Sequence, residues 1–252
     1  MWLFNASSLL RAGAQSLVGI GALWLMISML AIIPLIGQVT LAVITPLLTG
    51  GILIAFDQIS ANGRPTPGIL LAAWSRPKAK VVLLLLGVWT IIGAMVAFSL
   101  LATWLGTQVT EQELTAALEA PENLGAFIER LQGGPGLYAA IGVVIAGLMG
   151  LYFATPLVVF GEVALWPAVR ASFKAIVMNL PAFLAFVLTM IMLVVGFVLA
   201  VVSIVGVLTQ IPGPLGLMLS QVIILVLSMA LQITLAGAQY VAFCDIFGWS
   251  AK

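Results

Sequence analysis

Asp57, Glu162 and Asp245 occupy the same kind of place: each directly follows a long apolar run, after Ala55-Phe56, Phe160-Gly161 and Phe243-Cys244. If those runs are helices, each carboxylate meets the negative end of a helix dipole, at a cost of about 0.3 to 1 kcal/mol when exposed. Such acids want cations. Arg11, Arg64, Arg170 and Lys174 are expected at the same depth, so the first reading is ion pairs that fasten surface helices to the ends of the runs. The rival reading is a proton or cation path, a common use of ionisable groups in membranes. Because all three acids sit at run ends and none at mid-membrane, the pairing is preferred.

Other chemistry is scarce. The chain has no histidine, which removes the commonest general base and metal ligand and makes Ser-His-Asp catalysis impossible. A single cysteine, Cys244, excludes an internal disulfide and a thiolate metal cluster, and reads as a small core residue. No glycine-rich phosphate loop followed by lysine and a hydroxyl occurs, and Glu111 and Glu113 fit a solvated helix face better than a catalytic pair. The expectation is a protein that is not an enzyme and carries no cofactor or metal. A net charge of +1 provides no field for nucleic acid. What polarity the apolar runs contain gathers near the end of the chain, where Gln221, Ser228, Gln232 and Gln239 form a broad stripe at four- and seven-residue steps. Such groups bond to neighbouring helices or line a wet cavity, and the sequence leaves both open.

The elements that must position these residues follow from the solvent. With 63% hydrophobic and 7% charged residues, the chain cannot cover a water-facing surface, whereas a lipid-facing surface needs no charge. From Ala12 to Phe56 there are 45 uncharged positions, too many for one span of about 20 residues and suited to two. Ile33-Pro34-Leu35-Ile36-Gly37-Gln38 supplies the turn of a helical hairpin. The reading is an all-α polytopic membrane bundle forming one domain over 1–252, with spans at about 14–33, 39–56, 81–105, 137–161, 181–208 and 215–243 and an outer connection over 106–136. Eight of the nine basic residues then fall on one side, with only Arg130 on the other, so both termini are expected in the cytoplasm. No removable signal sequence is evident, and the first span is expected to direct insertion.

The outer connection carries Thr110-Glu111-Gln112-Glu113, the pattern of a capping box. A second short helix is expected after Pro121, with Leu124, Phe127, Ile128 and Leu131 on one stripe, as a cap on the outer face or a partner-docking surface. On the inner side three stretches read as interfacial helices, each with a tryptophan: one with Trp2, Ser7, Arg11 and Gln15; one over Pro67 to Ser75 with Trp74, before Arg76, Lys78 and Lys80; and one over Val163 to Asn179 with Arg170 and Lys174 one turn apart. Anionic lipid headgroups are their expected partners. Gly142, Ala146 and Gly150 permit close helix approach, within the chain or between protomers.

Two stretches carry a resemblance. Thr45-Pro46-Leu47-Leu48-Thr49-Gly50-Gly51-Ile52-Leu53-Ile54-Ala55-Phe56-Asp57, after Pro34-Leu35-Ile36-Gly37, is one; Thr155-Pro156-Leu157-Val158-Val159-Phe160-Gly161-Glu162 with Ala168-Val169-Arg170-Ala171-Ser172-Phe173 and Asn179-Leu180-Pro181 is the other. The chain resembles an uncharacterised family of six-span bacterial inner-membrane proteins. More distantly it is similar to YciC-type proteins and to the membrane domain of some glycerophosphodiester phosphodiesterases. The resemblance implies a bacterial inner-membrane location and no assigned activity, and it carries over no catalytic residue. A faint echo between the two Thr-Pro-Leu stretches, and between Ile54-Ala55-Phe56-Asp57 and Val241-Ala242-Phe243-Cys244-Asp245, suggests a parallel repeat. The functional expectation is a lipid-associated or accessory component of a larger membrane assembly, or a homo-oligomer. The rival is a small transporter or channel for an amphiphile.

Overall fold

A computed structural model describes residues 2–110, 112, 113, 115, 131, 133–208, 210, 211 and 214–250. The described residues are almost wholly helical and contain no strand. In chain order they form α1 (Trp2–Ala12), α2 (Ala14–Ser28) running into a 3₁₀ turn (Met29–Ile32), α3 (Ile36–Ser60), a 3₁₀ helix (Pro67–Ser75) and α4 (Pro77–Gly106). Then come α5 (Pro135–Tyr152), α6 (Ala154–Gly161), α7 (Leu165–Met178), α8 (Leu180–Leu208) and α9 (Pro214–Phe247). Six helical segments are long and apolar enough to cross a membrane: Ala14–Ile32, Ile36–Ser60, Pro77–Gly106, Pro135–Gly161, Leu180–Leu208 and Met218–Phe247. The chain is therefore a membrane-spanning helical bundle, and its spans match the apolar runs to within a few residues.

The α2–α3 hairpin closes where proline and glycine demanded it. Ile36 N–H donates to the Pro34 carbonyl at 2.7 Å around Leu35, which is held at φ 60° and ψ −63°. That γ-turn geometry is rare for a residue with a side chain. Gly37 is required because a Cβ there would strike the Leu30 carbonyl oxygen.

The centre of the bundle is α3, buried on every side from Pro46 to Leu48 and again from Gly50 to Phe56. One flank packs with α2 and α9 through Ile20, Ile52, Phe56 and Tyr240; the other packs with α4 and α6 through Leu47, Leu83, Val158 and Val159. A third cluster joins α1, α5, α8 and α9 through Trp2, Phe153, Phe186 and Phe243. By contrast α8 buries Phe186 alone, and its Leu184, Leu188, Met192, Leu199 and Val202 are exposed. So much uncovered apolar surface is unsustainable in water and ordinary against lipid.

The three stretches expected among headgroups each pack one face against the bundle and leave the other exposed. The Pro67–Ser75 helix packs on the bundle with the Leu70 backbone against Gly51 and Pro67 against Gly19. Leu70 and Ala73 are buried against α2, α3 and α4, while Pro67, Gly68, Leu71, Trp74 and Ser75 are exposed. Likewise α1 packs on α9 and buries Trp2 and Ala6. The third stretch follows its pattern. In α7, Ala168, Val169, Ser172, Ala175 and Ile176 face inward, while Arg170 and Lys174 share the exposed face.

Gly87 marks a tight crossing of α4 on α3, since a Cβ there would meet the Val43 carbonyl, whereas Gly93 on the same helix faces open space. Gly87→Ala is expected to cost about 1 to 3 kcal/mol by overpacking against backbone, and Gly93→Ala less than about 0.5 kcal/mol. Thermal melting of the detergent-purified variants checks the contrast.

Candidate functional site

The fourth span is not continuous. It breaks at Phe153, between α5 and α6, immediately before Thr155-Pro156. A proline has no N–H, so Pro156 leaves the Tyr152 carbonyl, four residues earlier, without its helical donor. Gln239 of α9 supplies the replacement: its side-chain amide donates to the Tyr152 carbonyl. One turn earlier the ladder is opened and refilled by α7. Phe153 N–H donates to Ser172 Oγ at 3.0 Å, and the same hydroxyl donates to the Met149 carbonyl at 2.6 Å. Between them, Thr155 Oγ1 makes a long contact of 3.5 Å to the Leu151 carbonyl. Two side chains from other helices, Ser172 and Gln239, thus take up backbone groups that the break frees. An unpaired backbone group at this depth would cost about 1 to 3 kcal/mol or more. Ser172 reaches the break because Gly150 lets α7 come close, with Phe173 and Val169 packed where a side chain would stand.

Beside the break lies a cleft of about 440 Å³ between α2, α3, α5 and α9. Its walls are Trp24, Leu41, Leu48, Ile52, Leu235 and Ala236, and its polar groups come from Ser28, Thr45, Thr49, Tyr152, Gln232 and Gln239. No charged residue lines it among the described residues. Thr45 and Gln232 are exposed, so the cleft is open at its rim. Ser28 and Thr45 turn their hydroxyl protons back onto the carbonyls of Trp24 and Leu41, at 2.9 and 2.6 Å. The Tyr152 hydroxyl is buried and has no partner among the described residues.

The sequence-stripe residues therefore part company. Gln232 and Gln239 both line the cleft and Gln239 also bonds across helices, while Ser228 is half-buried and Gln221 is exposed. Of the small residues, Gly150 makes a close contact; Gly142 and Ala146 are exposed on the outside of α5.

At the end of the bundle where the termini meet, the three acids lie where the apolar runs placed them, but the expected cations do not reach them. Asp57 Oδ1 accepts from Trp249 Nε1 at 2.9 Å and from Tyr240 Oη at 3.0 Å. Asp245 Oδ2 accepts from Trp2 Nε1 at 2.8 Å. Glu162 is exposed and adopts the left-handed conformation (φ 49°, ψ 31°) that closes α6, a position glycine usually fills. Arg11, Arg64, Arg170 and Lys174 are all exposed, and among the described residues none forms an ion pair with these acids. The reason is reach: indole and phenol groups sit on adjacent helix ends, whereas the long cationic side chains point outward. One cation does serve a helix end. Arg76 Nη1 donates to the Val159 carbonyl at 2.5 Å, in the last turn of α6. The sequence placed Arg76 among the headgroup-facing basic residues and gave Trp249 no role, although a helix carboxyl end facing a basic linker was a usable signal.

In the outer connection the capping box forms: Glu113 Oε2 accepts from Thr110 N–H at 2.9 Å, and Glu113 N–H donates to Thr110 Oγ1 at 3.3 Å. The helix expected after Pro121, together with Arg130 and Lys252, lies outside the described residues. No family model, curated protein or solved structure matches this chain.

Gln239→Leu is expected to destabilise the fold by about 1 to 3 kcal/mol by orphaning the Tyr152 carbonyl. The loss should shrink in a Pro156→Ala background, where residue 156 regains an N–H to give; a double-mutant cycle on melting midpoints measures the coupling. Separately, Trp249→Phe and Trp2→Phe should each cost about 1 to 3 kcal/mol by removing a hydrogen bond to a carboxylate, read by the same melts.

Proposed function

We propose that this chain is a non-enzymatic component of a bacterial inner membrane that works by holding lipid, as an accessory part of a larger assembly. In this reading the end that gathers the termini faces the cytoplasm, as its basic residues favour. The observation that carries it is the state of the cations. The carboxylates Asp57 and Asp245 take their hydrogen bonds from indole and phenol groups, which leaves Arg11, Arg64, Arg170 and Lys174 exposed. Exposed basic groups at the end of a membrane bundle attract anionic headgroups, at about 1 kcal/mol each. Trp74 and Trp166 are half exposed at the same end, suited to the headgroup layer. The accessory role draws on the outer face of α5, with Gly142 and Ala146 exposed, and on the scarcely covered α8.

A second reading, a small transporter for an amphiphile, is favoured by the broken fourth span and the polar cleft beside it, because discontinuous helices border the substrate sites of many transporters. Against it, Ser172 and Gln239 already satisfy backbone groups freed by the break, so those groups are not left for a passing ligand.

Native mass spectrometry of the protein purified from its own membranes separates the two. Retention of anionic lipid is expected, and Arg170→Ala with Lys174→Ala should weaken it roughly tenfold or more. Equal retention by that variant, with flux of an amphiphile in reconstituted vesicles, would reverse the preference.

A further inference from the structure

The cleft beside the broken span has a chemistry of its own. At 1.5 Å per residue, its α3 residues from Leu41 to Ile52 lie about 8 to 24 Å from Asp57, deep within the hydrocarbon layer rather than at a headgroup surface. Its volume of about 440 Å³ is in the range of small-molecule sites, and its walls are apolar with a few convergent polar groups. Those polar groups are unevenly used. Gln239 gives an amide proton to the Tyr152 carbonyl and keeps its own side-chain oxygen as an acceptor. Gln232, also in the lining, has no hydrogen-bond partner among the described residues and offers two N–H donors and an oxygen. An amide at this depth is costly until it is bonded.

We infer that the cleft is a binding site for an uncharged lipid alcohol of the diacylglycerol type, with the hydroxyl end bonded by Gln232 and the chains leaving through the rim at Thr45. Three features select that class. The lining holds no cation to meet a phosphate, which disfavours anionic headgroups. It offers both donor and acceptor, which a hydroxyl satisfies together and an ester or ketone oxygen does not. Its exposed rim lies along a lipid-facing side, so a ligand can enter from the bilayer with its chains still in hydrocarbon. This site shares no residue with the basic end of the bundle, so its failure and the failure of the headgroup reading are separable.

The test is photolabelling of the whole protein in phosphatidylcholine vesicles containing a diazirine-bearing diacylglycerol, with adducts mapped by mass spectrometry. Labelling is expected on 41–52 and 232–239, competed by unlabelled dioleoylglycerol and not by phosphatidylglycerol. Gln232→Leu should lower it about tenfold, the worth of one good hydrogen bond, and leave anionic-lipid retention unchanged. Thr45→Trp, at an exposed position that tolerates a large side chain, should lower it by obstructing the rim, and melting midpoints confirm that each variant is folded. Labelling spread over the lipid-facing helices, labelling competed equally by phosphatidylglycerol, or labelling unchanged in both folded variants would overturn the assignment.

Discussion

The interaction on which the bundle depends is the repair of one broken helix. In hydrocarbon no water can take up a freed carbonyl or N–H, so a span interrupted by proline survives only where protein groups replace the missing bonds. Here they come from two other helices. Ser172 of α7 accepts from Phe153 and donates to Met149, and Gln239 of α9 donates to Tyr152. The break thereby ties α5 and α6 to α7, the next helix in the chain, and to α9, which is far from them in sequence. Phe153 and Ala154, at the break itself, are fully buried, so the repair is made in the core and not at its edge.

A second set of bonds closes the end of the bundle where the termini meet. Carboxylates at helix carboxyl ends were expected to recruit arginine and lysine; Asp57 and Asp245 recruit tryptophan and tyrosine instead, and Glu162 stays exposed. An indole N–H bonds a carboxylate while its ring stays in an apolar cluster, as the rings of Phe160, Phe243 and Trp249 do with centroids 5.1 to 6.1 Å apart. Bonding Trp2 to Asp245 and Trp249 to Asp57 ties α1 to α9 and Trp249 to α3, and leaves Arg11, Arg64, Arg170 and Lys174 exposed.

The fold was largely legible from composition and run length, because a bilayer imposes a fixed span length and forbids charge along it. The hairpin turn at Pro34 and the capping box of Thr110 and Glu113 were legible for the same local reason: each is set by residues within a few positions of one another. The site was legible only in part. Thr155-Pro156 was visible, but which distant side chains would answer the freed carbonyls depends on tertiary packing, and Ser172 carries no local signal. Gln232 and Gln239 belong to one stripe and both line the cleft, but only Gln239 also reaches a neighbouring helix, which spacing alone does not tell. The inward face of the Pro67–Ser75 helix was not legible, because an almost uniformly apolar segment shows no stripe.

The repair can be observed at one carbonyl. Labelling Tyr152 with a ¹³C=¹⁸O backbone group and recording its amide band in lipid nanodiscs isolates that bond from the rest of the bundle. The band should lie at the low frequency of a hydrogen-bonded carbonyl and rise when Gln239 is replaced by leucine. A band at the position of a free carbonyl, unmoved by that replacement, would contradict the account.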